Sequence, residues 1–159
     1  MDELLNLLRE DASLTSAEIA NRLNQTEAEV EAQIKEHEAN GVILGYRTVL
    51  NEEKLDVEIV RAVIEVKITP EREGGFDRVA LRISQFNEVA SCYLMSGAYD
   101  LLVIVEGRDL RAVSTFVTEK LATMPGVIST ATHFILKPYK EFGVMMGGEY
   151  NDEKLAVAP

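Results

Sequence analysis

The sequence predicts an α+β fold in two parts: an N-terminal winged helix-turn-helix over residues 1–51 and a C-terminal ferredoxin-like βαββαβ domain over residues 60–140. Three observations carry this. Two S/T-x-x-E signatures, Thr15 with Glu18 and Thr26 with Glu29, stand eleven residues apart. Each marks a helix start, because the paired side chains satisfy the orphan N–H groups of a first turn. Downstream, hydropathy alternates as strand, helix, strand, strand, helix, strand. Within that pattern, "RISQFNEVAS" (residues 82–91) and "KLATMPGVIS" (residues 120–129) repeat one motif of basic, aliphatic, large apolar, valine and serine positions. Two βαβ-like halves in tandem give the βαββαβ order.

The first helix, in "DELLNLLRED", sets Leu4, Leu5, Leu7 and Leu8 on an inward stripe, with Asp2 and Glu3 at the positive end of its dipole. A second helix opens at "TSAE", with Ile19, Ala20 and Leu23 inward; a third opens at "TEAE", with Val30 and Ile34 inward, and stops at Gly41. "VILGYRTVLN" then reads as the strand of a wing, and the polar "EEKLDVE" within residues 52–59 reads as a linker. The six elements of the second domain lie in "IVRAVIEVKI", "FDRVALRISQF", "EVASCYLMS", "DLLVIVEG", "LRAVSTFVTEKLATM" and "GVISTATHFIL". Gly74 and Gly75 form a loop into the first of these helices. The run "LLVIV" at residues 101–105 has no polar alternation, so both of its faces need cover. Helices cover one face of such a sheet, so a partner subunit is expected on the other, giving a homodimer or higher homo-oligomer. Residues 141–159 form a tail without a clear period.

The composition of 159 residues, 47% hydrophobic and 27% charged, is that of a globular protein. "LLVIV" is also the longest apolar run, far short of the roughly 18 residues of a membrane span. With no basic signal-peptide start, a cytoplasmic protein without membrane association is expected. Cys92 is the single cysteine and lies in an apolar strand pattern, where a buried inert thiol is the natural reading. The net charge of −11 argues against generic nucleic-acid affinity, which comes from basic residues neutralising phosphates. Residues 1–55 hold twelve acids against five bases, and the third helix alone carries five glutamates and one lysine.

That helix can nevertheless approach DNA. With Val30 and Ile34 inward, a rotation of 100° per residue leaves Ala28, Ala32, Lys35 and Ala39 outermost. Alanines allow close approach to a groove and contact thymine methyls, and Glu31 can accept from cytosine N4. Phosphate contacts fall to Arg22, Lys35, Arg47 and the helix N-termini, where Thr26 sits. The plainer role of Glu27 and Glu29 is to stabilise the first turn against the helix dipole. Double-stranded DNA binding on this reading is weak per monomer and depends on several modules meeting one duplex.

In "ANGVILGY" (residues 39–46), "SGAYD" (96–100) and "MPGVISTATHFIL" (124–136), in that order and spacing, the chain resembles the Lrp/AsnC family of transcription regulators. The resemblance covers residues 1 to about 140. It implies a homodimer formed through sheet faces, often assembled further, and a small-molecule effector, commonly an amino acid, near a Gly-x-Tyr-Asp turn. By position, that implies Gly97, Tyr99 and Asp100, with Thr130 and Thr132 as neighbours. An effector ammonium would suit the Asp100 carboxylate, and threonine hydroxyls or backbone N–H groups would suit the effector's own carboxylate. Read without the resemblance, Gly97 and Asp100 are ordinary turn residues and the threonines ordinary strand formers.

No catalytic or metal-ligating constellation is expected. His37 and His133, the only histidines, have no companions at ligand spacing, and G-x-S-x-G, P-loop and G-x-G-x-x-G motifs are absent. No cofactor is implied. The function expected is a sequence-specific DNA-binding transcription regulator answering a small-molecule effector. The alternatives are a metabolite-binding oligomer with a degenerate DNA-binding module, favoured by the acidic charge, and a tetrapyrrole decarboxylase of the same architecture. Scarce histidine and scattered bases tell against the second.

Overall fold

The computed structural model describes residues 2–70, 72 and 75–146, so Gly74 and the tail beyond residue 146 lie outside the described residues. The chain divides between Val49 and Leu50 into two units.

The first unit holds α1 (Glu3–Glu10), α2 (Ser16–Leu23) and α3 (Glu27–Ala39). Asp2 caps α1 by accepting from the Leu4 N–H at 3.1 Å. Both capping boxes form: Glu18 accepts from the Thr15 N–H at 2.8 Å, and Glu29 from the Thr26 N–H at 2.8 Å. Asn24, left-handed at φ 54°, ends α2 and lets α3 begin three residues later. Leu4, Ile19, Ala20 and Val30 form the buried core, with Leu7, Leu8, Leu14, Leu23 and Ile34 against it. Leu5 is not among them, because it falls off the i, i+3, i+4 stripe that joins Leu4 to Leu7 and Leu8.

Gly41 (φ +69°) ends α3 as the sequence requires, and the Val42 and Ile43 N–H groups close back on the His37 carbonyl at 2.8 and 3.1 Å. The strand expected to follow does not form; residues 43–51 carry no ladder. An extended segment needs unpaired N–H and C=O groups beside it. The helices of this unit consume their own, so Leu44 remains 92% exposed.

The second unit opens with a 3₁₀ turn at Glu52–Lys54 and continues as β1 (Val60–Ile68), α4 (Asp77–Ser84), β2 (Val89–Leu94) and β3 (Leu101–Gly107). Next comes α5 (Leu110–Thr115), which widens into a π-helical turn over Phe116–Leu121, then β4 (Val127–Phe134) and a short hairpin, β5 (Lys140–Glu141) with β6 (Val144–Met145). Each predicted strand and helix is present. The four main strands form an antiparallel sheet in the order β2-β3-β1-β4. Its core joins Ala62, Ile64, Val66 and Ile68 of β1 and Leu101, Val103 and Val105 of β3 to Val79, Ile83, Val113, Phe116 and Leu121 of the helices. The internal repeat has a structural meaning: both copies run from a helix end into an edge strand. Their large apolar residues, Phe86 and Met124, both pack on the core.

Alternation along β3 turns Leu102 and Ile104 to the opposite face, where they are half-buried. On that face Ile104 pairs with Val63, and Leu102 lies between Glu65 and Tyr93. One side of "LLVIV" is therefore covered within the chain.

Candidate functional site

On α3, Ala28, Glu31, Ala32 and Lys35 are all exposed and spaced i, i+3, i+4, i+7, so they form one strip, while Val30 is fully buried behind it. His37 faces inward as well, its Nε2 lying 3.1 Å from Asp2 Oδ2 and tying α3 to the start of α1. Thr26 is committed to the capping box, its hydroxyl donating to Glu29 at 2.8 Å and accepting from the Glu29 N–H at 3.3 Å. Hydrogen bonds from the Thr26 N–H, then from its hydroxyl, hold the Glu29 carboxyl below the ordinary glutamate range. That pairing keeps Glu29 ionised and turns its carboxylate back onto the helix start. Arg22 is exposed in the last turn of α2, and Arg47 is exposed in the irregular segment after α3. The Tyr46 hydroxyl donates to Glu38 at 3.0 Å; burial, and then this bond to a carboxylate, raise the phenol's pKa.

The second set of residues lies where β2 turns into β3. Gly97 adopts φ +147° with open space where a Cβ would stand, so the backbone rather than crowding selects glycine. Asp100 is held from three sides. Its carbonyl accepts from the Met95 N–H at 2.8 Å, its N–H donates to Val66 O at 3.0 Å, and its carboxylate accepts from the Ile68 N–H at 2.9 Å. The β1–β4 register shifts between Lys67 and Ile68, so the Asp100 carboxylate serves an amide at a bulge, at the margin of the ladder. Tyr99 and Asp100 are half-buried and Gly97 exposed. Thr130 and Thr132 pair with Val66 and Ile64, whose side chains are in the core, so both threonines face the helix side of the sheet, as their two-residue spacing requires. Since β1 separates them from β3, they stand two strand spacings, roughly 10 Å, from the Asp100 strand.

Sequence reasoning missed a residue that meets three carboxylates. Arg61, on the β3-paired face opposite the helices, donates through Nε to Glu106 at 2.8 Å, also bonds Glu52, and lies 3.9 Å from Glu141. The available signal was one arginine inside the apolar run of β1. Burial pushes the Cys92 thiol's pKa up, against the lowering effect of a bond with Ser84, as suits an inert core thiol. Among the described residues no group of three or more His, Cys, Asp or Glu side chains could hold a metal.

Two family profiles match this chain: a winged helix-turn-helix DNA-binding domain over residues 3–43, and the Lrp/AsnC ligand binding domain over residues 61–145. An uncharacterised HTH-type transcriptional regulator of Bacillus subtilis, YugG, is 42% identical over 99% of this chain and 95% of its own length. The chain belongs to the Lrp/AsnC family. It is a helix-turn-helix transcription regulator with a ligand-binding domain. The proline dehydrogenase transcriptional activator of Rhizobium radiobacter is 30% identical over 89% of this chain and 90% of its own. Among solved structures, a Neisseria meningitidis transcriptional regulator in complex with L-Met aligns at TM-score 0.68 and 26% identity, over 89% of this chain and 93% of that one. These Lrp/AsnC relatives are transcription regulators rather than enzymes. No helix among the described residues is long and apolar enough to cross a membrane.

Proposed function

We propose that this Lrp/AsnC regulator works in the cytoplasm as a homo-oligomer, binding double-stranded DNA through α3 and an amino-acid effector beside the β2–β3 turn. The observation that carries the DNA half is the exposed strip of Ala28, Glu31, Ala32 and Lys35. It is small enough for the helix to enter a major groove, and one acidic and one basic head flank it. Arg22 and Arg47 supply phosphate contacts, and the capped start of α3 at Thr26 directs its remaining N–H groups outward.

The effector half is supported by the Met-bound Neisseria relative and by the turn itself. Gly97 is exposed beside half-buried Tyr99 and Asp100, and Asp100 offers a carboxylate to an ammonium while retaining its bond to the Ile68 N–H. Thr130 and Thr132, across β1 and roughly 10 Å from the Asp100 strand, are left for the far end of the effector's side chain, since its carboxylate shares a carbon with the ammonium. The domains we assign are residues 1–51, a linker at 52–59, the effector domain at 60–140 and the tail at 141–159.

Isothermal titration with methionine and a panel of other amino acids, followed by DNA titration with and without the binder, tests this reading. Binding of one amino acid together with a change in DNA affinity is the expected result. DNA affinity that no salt concentration or assembly state restores would instead leave a metabolite-binding oligomer, the reading that the −11 charge favours.

A further inference from the structure

The β1–β4 ladder ends where the Ile135 N–H donates to Arg61 O at 2.9 Å. Continued in register, it would bring Ile59 opposite Lys137, yet among the described residues no backbone bond joins those two. Pro138 follows and has no N–H to offer a ladder. The two segments part, and between them opens a cavity of about 310 Å³. That is the volume of roughly ten water molecules and the lower end of the range of small-molecule pockets.

The lining is apolar at Val57, Val60 and Leu136 and charged at Glu53, Glu58 and Lys137. Glu52 lines it as well, but its carboxylate is bonded to Arg61. Lys137 Nζ lies 4.0 Å from Glu53, a loose pair that a ligand can open. Two carboxylates and one ammonium therefore remain for a ligand, set around aliphatic walls. The β2–β3 turn pairs at the other end of β1, whose nine residues span roughly 26 Å, so the two places are separate.

We propose that this cleft is a second ligand site and that it takes a basic α-amino acid. Such a ligand carries two cationic groups and one carboxylate, the complement of Glu53, Glu58 and Lys137, and its methylene chain lies against Val57, Val60 and Leu136. A neutral amino acid leaves one carboxylate unmatched, a diamine sets a cation against Lys137, and a dicarboxylate meets like charge. The site is independent of the turn assignment. Because residues 51–60 form much of its wall, an occupant contacts the first segment of the second unit.

The test is isothermal titration of the full chain with L-lysine, and with norleucine and cadaverine as the neutral and diamine comparisons. L-lysine should bind most tightly of the three. Glu58→Gln and Lys137→Met should each weaken it about fivefold, the scale of one exposed ion pair of roughly 1 kcal/mol, and added salt should weaken it further. Asp100→Asn should leave it unchanged. The proposal is overturned if L-lysine does not bind, if it binds no better than norleucine, or if Glu58→Gln and Lys137→Met bind it as wild type does. Loss in Asp100→Asn would assign the binding to the turn. Loss of methionine binding alone would undo the turn assignment and leave this site standing.

Discussion

Arg61 Nε donates to Glu106 at 2.8 Å across the β1–β3 pair, and the same guanidinium reaches Glu52 in the linker's 3₁₀ turn and approaches Glu141 in the hairpin. Burial opposes the guanidinium's charge; its bonds to Glu106 and Glu52 outweigh burial and hold its pKa above the ordinary arginine value. One side chain thus joins sheet, linker and hairpin. Arg61→Met should leave two partly buried carboxylates without their partner and cost about 1–3 kcal/mol. A lowered urea midpoint at unchanged slope would show it. Arg61→Lys should recover only part, since an ammonium lacks the planar fork that serves several carboxylates at once. A midpoint unchanged in Arg61→Met would mean the network is idle.

The capping boxes predict an acid limit for the helical unit. The Glu18 and Glu29 carboxyls are both held low by hydrogen bonds from Thr15 and Thr26. A carboxyl whose folded pKa is depressed contributes stability above its unfolded pKa and loses it as pH falls through the folded value. The contribution should be complete at pH 7 and disappear progressively below about pH 4.5. Carboxyl chemical-shift titrations should place both midpoints below the ordinary glutamate value. Thr26→Ala should cost roughly 0.5–2 kcal/mol and flatten the Glu29 share of the acid transition. Midpoints for Glu18 and Glu29 at the ordinary glutamate value would contradict it.

Why some features were legible in the sequence and others were not follows from which interactions are local. Thr15–Glu18 and Thr26–Glu29 are three residues apart, so their chemistry is written in adjacent letters, and the helices appear where the sequence puts them. The strands appear too, because Leu101, Val103 and Val105 face a core built from the same pattern in β1. The wing strand was overread because "VILGYRTVLN" has strand composition but no neighbour with free backbone groups. Asp100 was legible as a turn residue, whereas its carboxylate's bond to the Ile68 N–H spans 32 positions and depends on a β-bulge that composition does not announce. Arg61 is similar: its partner Glu106 lies 45 positions away. The cavity beside Pro138 arises where a ladder fails, which the alternation of apolar residues does not encode.

The Asp100 carboxylate accepts from the Ile68 N–H, and substitution separates that role from the effector contact proposed for it. Asparagine keeps an oxygen for the Ile68 N–H but loses the charge, so Asp100→Asn should fold normally while amino-acid affinity at the turn falls roughly 10- to 150-fold, the value of a charge-assisted bond. Asp100→Ala should lose affinity and also about 1–3 kcal/mol of stability, because it orphans a partly buried amide. Titration calorimetry beside thermal melting reads both quantities. Equal methionine affinity in wild type and Asp100→Asn would reduce Asp100 to a turn residue.

DNA contact through α3 should be steeply dependent on salt despite the acidic helix. Each lost phosphate contact lowers the slope of log K against log salt by about one unit. Arg22→Ala, Lys35→Ala and Arg47→Ala should therefore each reduce the slope and weaken all sequences alike. Ala32→Glu should abolish binding by setting a carboxylate in the centre of the strip. Fluorescence anisotropy at several salt concentrations measures this, and slopes unaltered in all three alanine variants would require a different docking face.

The sheet face opposite the helices is where self-association should be tested. Val63 and Ile104 pair directly, Leu102 lies between Glu65 and Tyr93, and all three aliphatic side chains are half-buried. Around them stand polar contacts made within the chain, the Arg61–Glu106 ion pair and His133 Nε2 at 3.6 Å from Glu65. An apolar centre inside a polar rim is the anatomy of an interface, and a two-fold axis through it would set each copy's centre against the other's. Ile104→Glu puts an unpaired charge at that centre while leaving the core untouched, because Ile104 points away from Val103 and Val105. The secondary structure should survive by circular dichroism. Association should weaken by about 3 kcal/mol or more, roughly 150-fold in Kd, moving a micromolar sample toward monomer in sedimentation velocity. Ile104→Val, which keeps an apolar surface, should sediment as wild type. An Ile104→Glu protein with an unchanged sedimentation coefficient would exclude this face as the interface and leave the exposed part of Leu102 and Ile104 without a partner to cover it.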